Sequence, residues 1–323
     1  MNVDSKKIKL FSTIGQRATV GMCCLEIVKK YPELMVLTAD VSTSAGLDRF
    51  RKTYKDNYLD VGIAEQNLIS VAAGIASEGY KVITTTFSPF QTLRCCEQIK
   101  VNLGYSKEKI SMIGLASGLA LGHLGFTHCS IEDIGVLRSI PNLSIVSPAD
   151  SLEVVKSIEA SLEYPNSVYI RLTGTSNIPI IYKEDYNFEI GKGVVLRAGK
   201  DITIFSNGVI CNLALEIAEE LQSNNISVEV INLHTVKPLD KELIENCCQN
   251  KKLMVSLEEH NIIGGLGSSI AEFKSTISKS PKQLFFGIND YYAKGGEYNF
   301  LKKEYKLSKE NISKSIIDEF RKI

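Results

Sequence analysis

Glu65 is the acidic side chain of this sequence whose surroundings most favour chemistry. It lies in Asp60-Val-Gly-Ile-Ala-Glu-Gln-Asn-Leu-Ile-Ser-Val-Ala-Ala-Gly-Ile-Ala76. Leu68, Val71, Ala72 and Ile75 recur there at helical spacing, so Glu65 opens a helix that is apolar nearly all round. Such a helix is expected to be buried. A carboxylate entering it is costly unless it is paired, or unless its raised pKa is put to use. The plainer alternative is a negative charge that favours a helix N-terminus. Phe87 and Phe90 stand three residues apart at a strand-to-helix turn, either as core or as a flat apolar platform for an aromatic ligand. The loop Gly118-Leu-Ala-Leu-Gly-His-Leu-Gly-Phe-Thr-His-Cys129 holds two of the four histidines, His123 and His128. It has no Gly-Lys-Ser/Thr ending, so it is not a phosphate-cradling loop of that kind. Arg17 sits near the start of a helix, the wrong end for a cation, as an anion ligand or a surface arginine.

The elements that must position these residues alternate between strand and helix. Residues 1–10 read as a frayed arm, and 13–30 as a helix ending before Pro32. A buried strand over 34–39 runs into the small polar loop 41–46, the kind of place where α/β proteins bind ligands. Strands over 57–61 and 81–86 precede Glu65 and Phe87. A helix is expected from Gln91 to about Leu103, a strand over 109–117, a helix over 130–139 and a strand over 143–147. Asp150 caps a helix over 151–162, and a strand over 167–172 carries Arg171. Residues 173–192 are polar and break the rhythm. The expected division is therefore an arm (1–10), a first domain (11–175), a linker (176–192) and a second domain (193–323). The second has strands over 201–206, 227–233, 252–257 and 283–288, helices over 210–224 and 241–248, and a charged helix after Ser308. Gly265-Leu-Gly267 lacks the full dinucleotide fingerprint and reads as a tight turn. The fold class is α/β: two doubly wound domains with mostly parallel sheets.

Composition narrows the function further. The 323 residues carry 37 Lys and Arg against 37 Asp and Glu, with no basic run or zinc-finger spacing, which argues against nucleic acid. No apolar run is long enough to cross a bilayer and the first residues hold no signal core, so a cytoplasmic protein without membrane contact is expected. Six of the eight cysteines form three adjacent pairs without CxxC spacing. They read as reduced, mostly buried thiols, and no metal site is expected on this chain.

Many motifs in one order carry a resemblance. Thr38-Ala-Asp-Val-Ser42, Asp60-Val-Gly-Ile-Ala-Glu-Gln-Asn67 and Thr86-Phe-Ser-Pro-Phe90 with Arg94 and Glu97-Gln-Ile99 resemble the pyrimidine-binding domain of transketolases. So do Ile131-Glu-Asp-Ile134, Arg138-Ser-Ile-Pro-Asn142 and Ser147-Pro-Ala-Asp150. Asn232-Leu-His-Thr-Val-Lys-Pro-Leu-Asp240 and Glu258-Glu-His-Asn-Ile-Ile-Gly-Gly-Leu-Gly267 are similar to the transketolase C-terminal domain. The likeness covers about residues 12–320.

The Gly-Asp-Gly signature of the family's diphosphate-binding domain is missing. The resemblance therefore implies the C-terminal half of a split enzyme. A separate N-terminal subunit would hold the diphosphate of thiamine diphosphate through Mg²⁺. The assembly implied is a dimer of heterodimers. By its match, Glu65 hydrogen-bonds the aminopyrimidine ring nitrogen, and so lets the cofactor deprotonate its own thiazolium carbon. Phe90 stacks on the pyrimidine with Phe87 alongside, and a two-carbon ketol unit passes from a ketose to an aldose. Arg17 and Arg171 match sugar-phosphate ligands, Ser44 a phosphate-binding serine, and His128 a histidine that contacts substrate hydroxyls. Two departures stand out: Ala116 replaces the family's usual histidine, and Leu124 replaces an aspartate that reads a donor hydroxyl. His123 either restores some polarity or is a surface histidine. A modified, deoxy or nucleotide-linked sugar fits these changes. The rival readings are a β-type subunit of another thiamine diphosphate enzyme, a 2-oxo acid dehydrogenase or a deoxyxylulose phosphate synthase-like one, and a non-catalytic assembly subunit.

Overall fold

A computed structural model of the chain describes residues 3–174 and 176–323. The first two residues of the expected arm and the expected boundary at residue 175 lie outside the described residues. The first sheet contains β1 (Leu34–Thr38), β2 (Tyr58–Asp60), β3 (Lys81–Phe87), β4 (Ile110–Leu115), β5 (Leu143–Val146) and β6 (Ser167–Arg171). The second half adds β7 (Val194–Arg197), β8 (Ile202–Ser206), β9 (Val228–Asn232), β10 (Thr235–Lys237), β11 (Leu253–Asn261) and β12 (Lys282–Ile288). The sheet orders are β10-β5-β6-β4-β3-β1-β2 and β12-β11-β8-β9-β7, so the expected α/β class with mostly parallel sheets holds. The strands β4, β5 and β6 are buried along their whole length, as parallel strands covered on both faces must be.

Helices cover both faces of the first sheet. On one side Val20, Ile27, Leu152, Val155 and Ile158 pack against Ile83 and Ile113. On the other, Leu68, Ala72, Ile99 and Leu103 pack against Val82 and Met112. That second core continues into Phe205, Leu233, Ile244 and Leu266, so the two halves share apolar packing. β10 goes further: it comes from the second half yet pairs antiparallel with β5 of the first sheet. No periodic signal marks this three-residue strand in the sequence, nor the half-exposed antiparallel edge β7.

Several expectations need correction. The arm is helical from Ser5: a 26-residue helix, Ser5–Lys30, is capped by Asp4 and kinked at Gly15. Val3, Ile8 and Phe11 are buried, which anchors a segment that reads as polar. At the kink φ is 83°, a value that favours glycine. The single helix expected over 91–103 is three pieces, Ser88–Gln91, Cys96–Gln98 and a π-turn over Ile99–Tyr105. Ser88-Pro89 starts the helix early, and Thr92, whose hydroxyl donates to the Ser88 carbonyl at 2.7 Å, leaves it. The expected linker is a packed strap. Ile178, Tyr182 and Ile190 are buried, and Asp150 Oδ2 accepts from the amides of Ile181 and Tyr182 at 3.0 and 2.9 Å.

Candidate active site

Glu65 is the first residue of the helix Glu65–Ser77 and is 5% exposed. The loop that delivers it is held by Asp60 at the end of β2. One oxygen of Asp60 accepts from the amides of Asp40 and Gly62, both at 2.9 Å. The other accepts from Thr38 Oγ1 at 2.9 Å and the Tyr58 hydroxyl at 3.0 Å. Burial alone would raise the Asp60 carboxyl, but these donors outweigh it and hold it below its ordinary value. The helix is not buried all round, as its sequence suggested. Gln66, Asn67, Ser70 and Gly74 are exposed, and a Cβ at Gly74 would meet open space. Ile63, just before Glu65, is 78% exposed.

β3 ends at Phe87, and the turn through Ser88-Pro89 brings Phe90 beside it. Their ring centroids lie 6.4 Å apart, edge to face at 87°. His128 closes the group at 5.3 Å from Phe90 and 6.4 Å from Phe87, also edge-on. Behind Phe87 stand Ala116, Ala120 and Leu121, an apolar wall. Arg94 completes the cluster. Its guanidinium lies over the Phe90 ring, 4.1 Å from the centroid, and its Nη1 donates to Glu65 Oε2 at 2.7 Å. Gln66 Nε2 donates to the Arg94 carbonyl at 3.1 Å, tying the two segments. Sequence reasoning placed Arg94 in a motif without giving it a role. Its position four residues after Phe90, one helical turn, was the available signal.

The platform is bolted down from below. Ser88 Oγ donates to Ser130 Oγ at 3.1 Å and Asp133 at 3.2 Å, and shares a hydrogen bond with the Tyr169 hydroxyl. Arg171 belongs to this buried layer. It is 1% exposed; its Nε donates to both oxygens of Asp133 at 2.8 and 3.0 Å. Its Nη2 donates to the carbonyls of Ser130 and Glu259 at 3.0 and 2.9 Å. A phosphate would have to displace Asp133 and enter the core, so the structure does not bring Arg171 into the open cluster. Burial would raise the Asp133 carboxyl, but Arg171 and then His260 hold it below its ordinary value.

Arg17 and Ser44 form a separate neighbourhood. The loop carrying Ser44 lies directly on the helix carrying Arg17: a Cβ on Gly21 would fall 1.8 Å from the Gly46 carbonyl oxygen. Both residues are half-buried, and burial lowers the Arg17 pKa. Among the described residues no hydrogen bond or ion pair engages the Arg17 guanidinium. His123 is exposed in the short turn Gly122–Leu124, and Leu124 is 51% exposed.

A planar cation that lies over the Phe90 ring and donates to Glu65 uses the two contacts, an aromatic ring and a carboxylate, that an aminopyrimidine would use. This pairing of an aromatic face and a carboxylate fits the pyrimidine half of thiamine diphosphate. The transketolase pyrimidine-binding domain matches residues 12–177 and the transketolase C-terminal domain residues 191–312. The chain belongs to the transketolase family. A protein of Methanocaldococcus jannaschii that carries the provisional name transketolase C-terminal section is 37% identical, over 95% of this chain and 97% of its own length. An apulose-4-phosphate transketolase subunit of Phocaeicola vulgatus is 32% identical, over 92% and 95%. A split-gene transketolase solved as an inactive β4 tetramer superposes with a TM-score of 0.86 at 32% identity, covering 94% of this chain and 97% of that one. By their names these relatives are a C-terminal section or a subunit of a transketolase, or a split-gene transketolase, and this chain matches nearly the whole length of each.

Proposed function

We propose that this chain is the C-terminal subunit of a heteromeric, thiamine diphosphate-dependent transketolase that moves a two-carbon ketol unit between sugars. The observation that carries the reading is the convergence of Glu65 with Phe90, filled by a planar donor that satisfies both. Thiamine diphosphate, when bound, supplies the carbon nucleophile of ketol transfer. This chain's residues then have separable tasks. Phe90 offers the stacking face and Phe87 its edge. Glu65 receives or holds a proton at its carboxylate, opposite a ring nitrogen. His128, edge-on to both rings, borders the reacting region and serves substrate hydroxyls. Arg17, half-buried and without an ion partner among the described residues, takes the phosphate end of the sugar, with Ser44 beside it. Arg171 is set aside as a substrate ligand, since it is sealed by Asp133.

The partner is an N-terminal subunit that carries the diphosphate-binding domain and Mg²⁺, in a dimer of heterodimers. A modified sugar suits the exposed Leu124 and the apolar wall of Ala116, Ala120 and Leu121, with His123 at the rim. No helix among the described residues is long and apolar enough to cross a membrane. All eight cysteines are unpaired thiols, which supports a reducing, cytoplasmic setting.

Calorimetry with thiamine diphosphate and Mg²⁺, on this chain alone and then with its partner, tests the split site. Binding to the pair alone is expected, followed by ketol transfer in a panel of sugars. Tight binding to the lone chain would end the split reading, and pyruvate decarboxylation without ketol transfer would replace it with the rival enzyme class.

A further inference from the structure

Arg94 sits where the cofactor should. A pyrimidine that stacks on Phe90 and donates to Glu65 must use the face of Phe90 that looks toward Glu65, and an oxygen of that carboxylate. The Arg94 guanidinium lies over the Phe90 ring at 4.1 Å and donates to Glu65 Oε2 at 2.7 Å. Two flat groups cannot stack at that distance over one face of one ring. We infer that Arg94 is a built-in surrogate for the aminopyrimidine, which occupies its seat in the free subunit and must swing out before the cofactor enters. This inference rests on the function proposed above.

Three features suit the side chain to such a part. Arginine is planar and always charged, so it satisfies an acid and an aromatic face together as few side chains can. Its side chain is 44% exposed, against 5% for Glu65, so it has solvent to move into. Its backbone stays anchored: the Arg94 amide donates to the Pro89 carbonyl at 3.3 Å, and its carbonyl accepts from Gln66 at 3.1 Å. Displacement therefore needs only rotamer changes and leaves the segment that carries Phe90 in place. While the seat is filled, the buried carboxylate keeps a counter-charge and the aromatic face stays out of water. The contact thus works as a competitor internal to the site, present until a cofactor-bearing partner docks.

The test compares Arg94→Ala and Arg94→Lys with the parent chain, each in complex with the diphosphate-binding partner. Removal of a competing half-exposed ion pair and cation–π contact should tighten thiamine diphosphate binding about tenfold in the alanine variant. The lysine variant, which keeps charge but loses the flat stack, should fall between. In parallel, the Arg94 side-chain Nε–H resonance in the ¹⁵N-arginine-labelled complex is assigned by its loss in Arg94→Lys. It should begin at a ring-current-shifted position and leave it on saturation with cofactor. Unchanged or weaker binding in Arg94→Ala, or a resonance that holds its position while calorimetry reports full occupancy, overturns the inference and makes Arg94 a resident brace for Glu65. A parent complex that binds no thiamine diphosphate is a different result: it refutes the proposed function, and the inference falls with it.

Discussion

Arg94–Glu65 and Arg171–Asp133, two of the arginine–carboxylate pairs in the first half of this chain, are almost equal in length and opposite in kind. Arg94–Glu65 is 2.7 Å and Arg171–Asp133 is 2.8 Å. The first joins a 44% exposed arginine to a carboxylate at the cluster's edge. The second is sealed, at 1% and 0%, and every neighbour adds a bond: Tyr169, Ser88, Ser130 and the Glu259 carbonyl from the other half. The difference teaches that an ion pair's length says little about its task. A pair with spare partners and room to part can exchange one partner for a ligand. A pair held by many bonds, at a junction of two domains, fixes the position of what rests on it, here the Ser88 turn beneath Phe87 and Phe90.

The sharpest way to break this comparison is to remove one charge from the sealed pair. Asp133→Asn leaves Arg171 buried without a counter-ion, and loss of one partner of a buried pair costs about 3–5 kcal/mol. Urea denaturation should show that loss, with reduced thiamine diphosphate binding by the complex because the aromatic turn loses its anchor. The same change at the open pair should act on chemistry instead. Glu65→Gln is expected to lower turnover of the reconstituted complex by at least about 100-fold, the range of positioned acid–base groups, with the urea midpoint of the chain close to its parent value. Unchanged turnover would support a non-catalytic assembly subunit.

This pairing also marks what the sequence could and could not disclose. Glu65 was legible because helical spacing after it and a strand before it fixed where it stands. Most strands were legible because parallel strands covered on both faces are continuous apolar runs. Arg171 was misleading for a physical reason: it ends β6, at the ligand-binding edge of a parallel sheet, and it is the right type for phosphate. Its burial depends on Asp133 from a helix and Glu259 from the other half, contacts that no local pattern carries. The strand expected over 252–257 stops short of Glu258-Glu-His260, yet that string lies inside β11, because its polar groups are satisfied within the domain junction. The break in the 91–103 helix hinges on side-chain bonds of Thr92, which propensity does not report.

Glu258 gives a third, pH-dependent contrast within the sealed region. Its oxygens accept from the amides of Leu266 and Gly267 at 2.7 and 2.8 Å, which caps the helix Leu266–Lys274. Burial pushes its carboxyl up to about 7, against the pull of those amides. A carboxyl raised on folding stabilises fully below its unfolded value near 4.5 and loses that contribution as pH rises through about 7. Over that window the loss is on the order of 3 kcal/mol, at about 1.4 kcal/mol per unit. Glu258→Gln, neutral throughout, should flatten this part of the profile, so the variant gains on the parent chain between pH 4.5 and 7. Parallel urea midpoints for the two proteins across that range would place the charge elsewhere.

The smallest expected effect is the most discriminating, because it concerns the open pair's own stability. If Arg94 is held only by a half-exposed ion pair and a cation–π contact at the rim, its removal takes a donor from no buried acceptor except the Glu65 carboxylate. That carboxylate lies at a helix N-terminus, where negative charge is favoured. Arg94→Ala should therefore cost the folded chain less than about 1 kcal/mol in urea denaturation. Part of that cost should disappear in 1 M salt, where screening reaches exposed pairs and spares sealed ones. The same substitution tightens cofactor binding if the seat is contested, so stability and affinity move in opposite directions from one side chain. A cost near that of Asp133→Asn would mean that Glu65 depends on Arg94 as Arg171 depends on Asp133. The two pairs would then differ in exposure alone, and the open one could not serve as a replaceable contact.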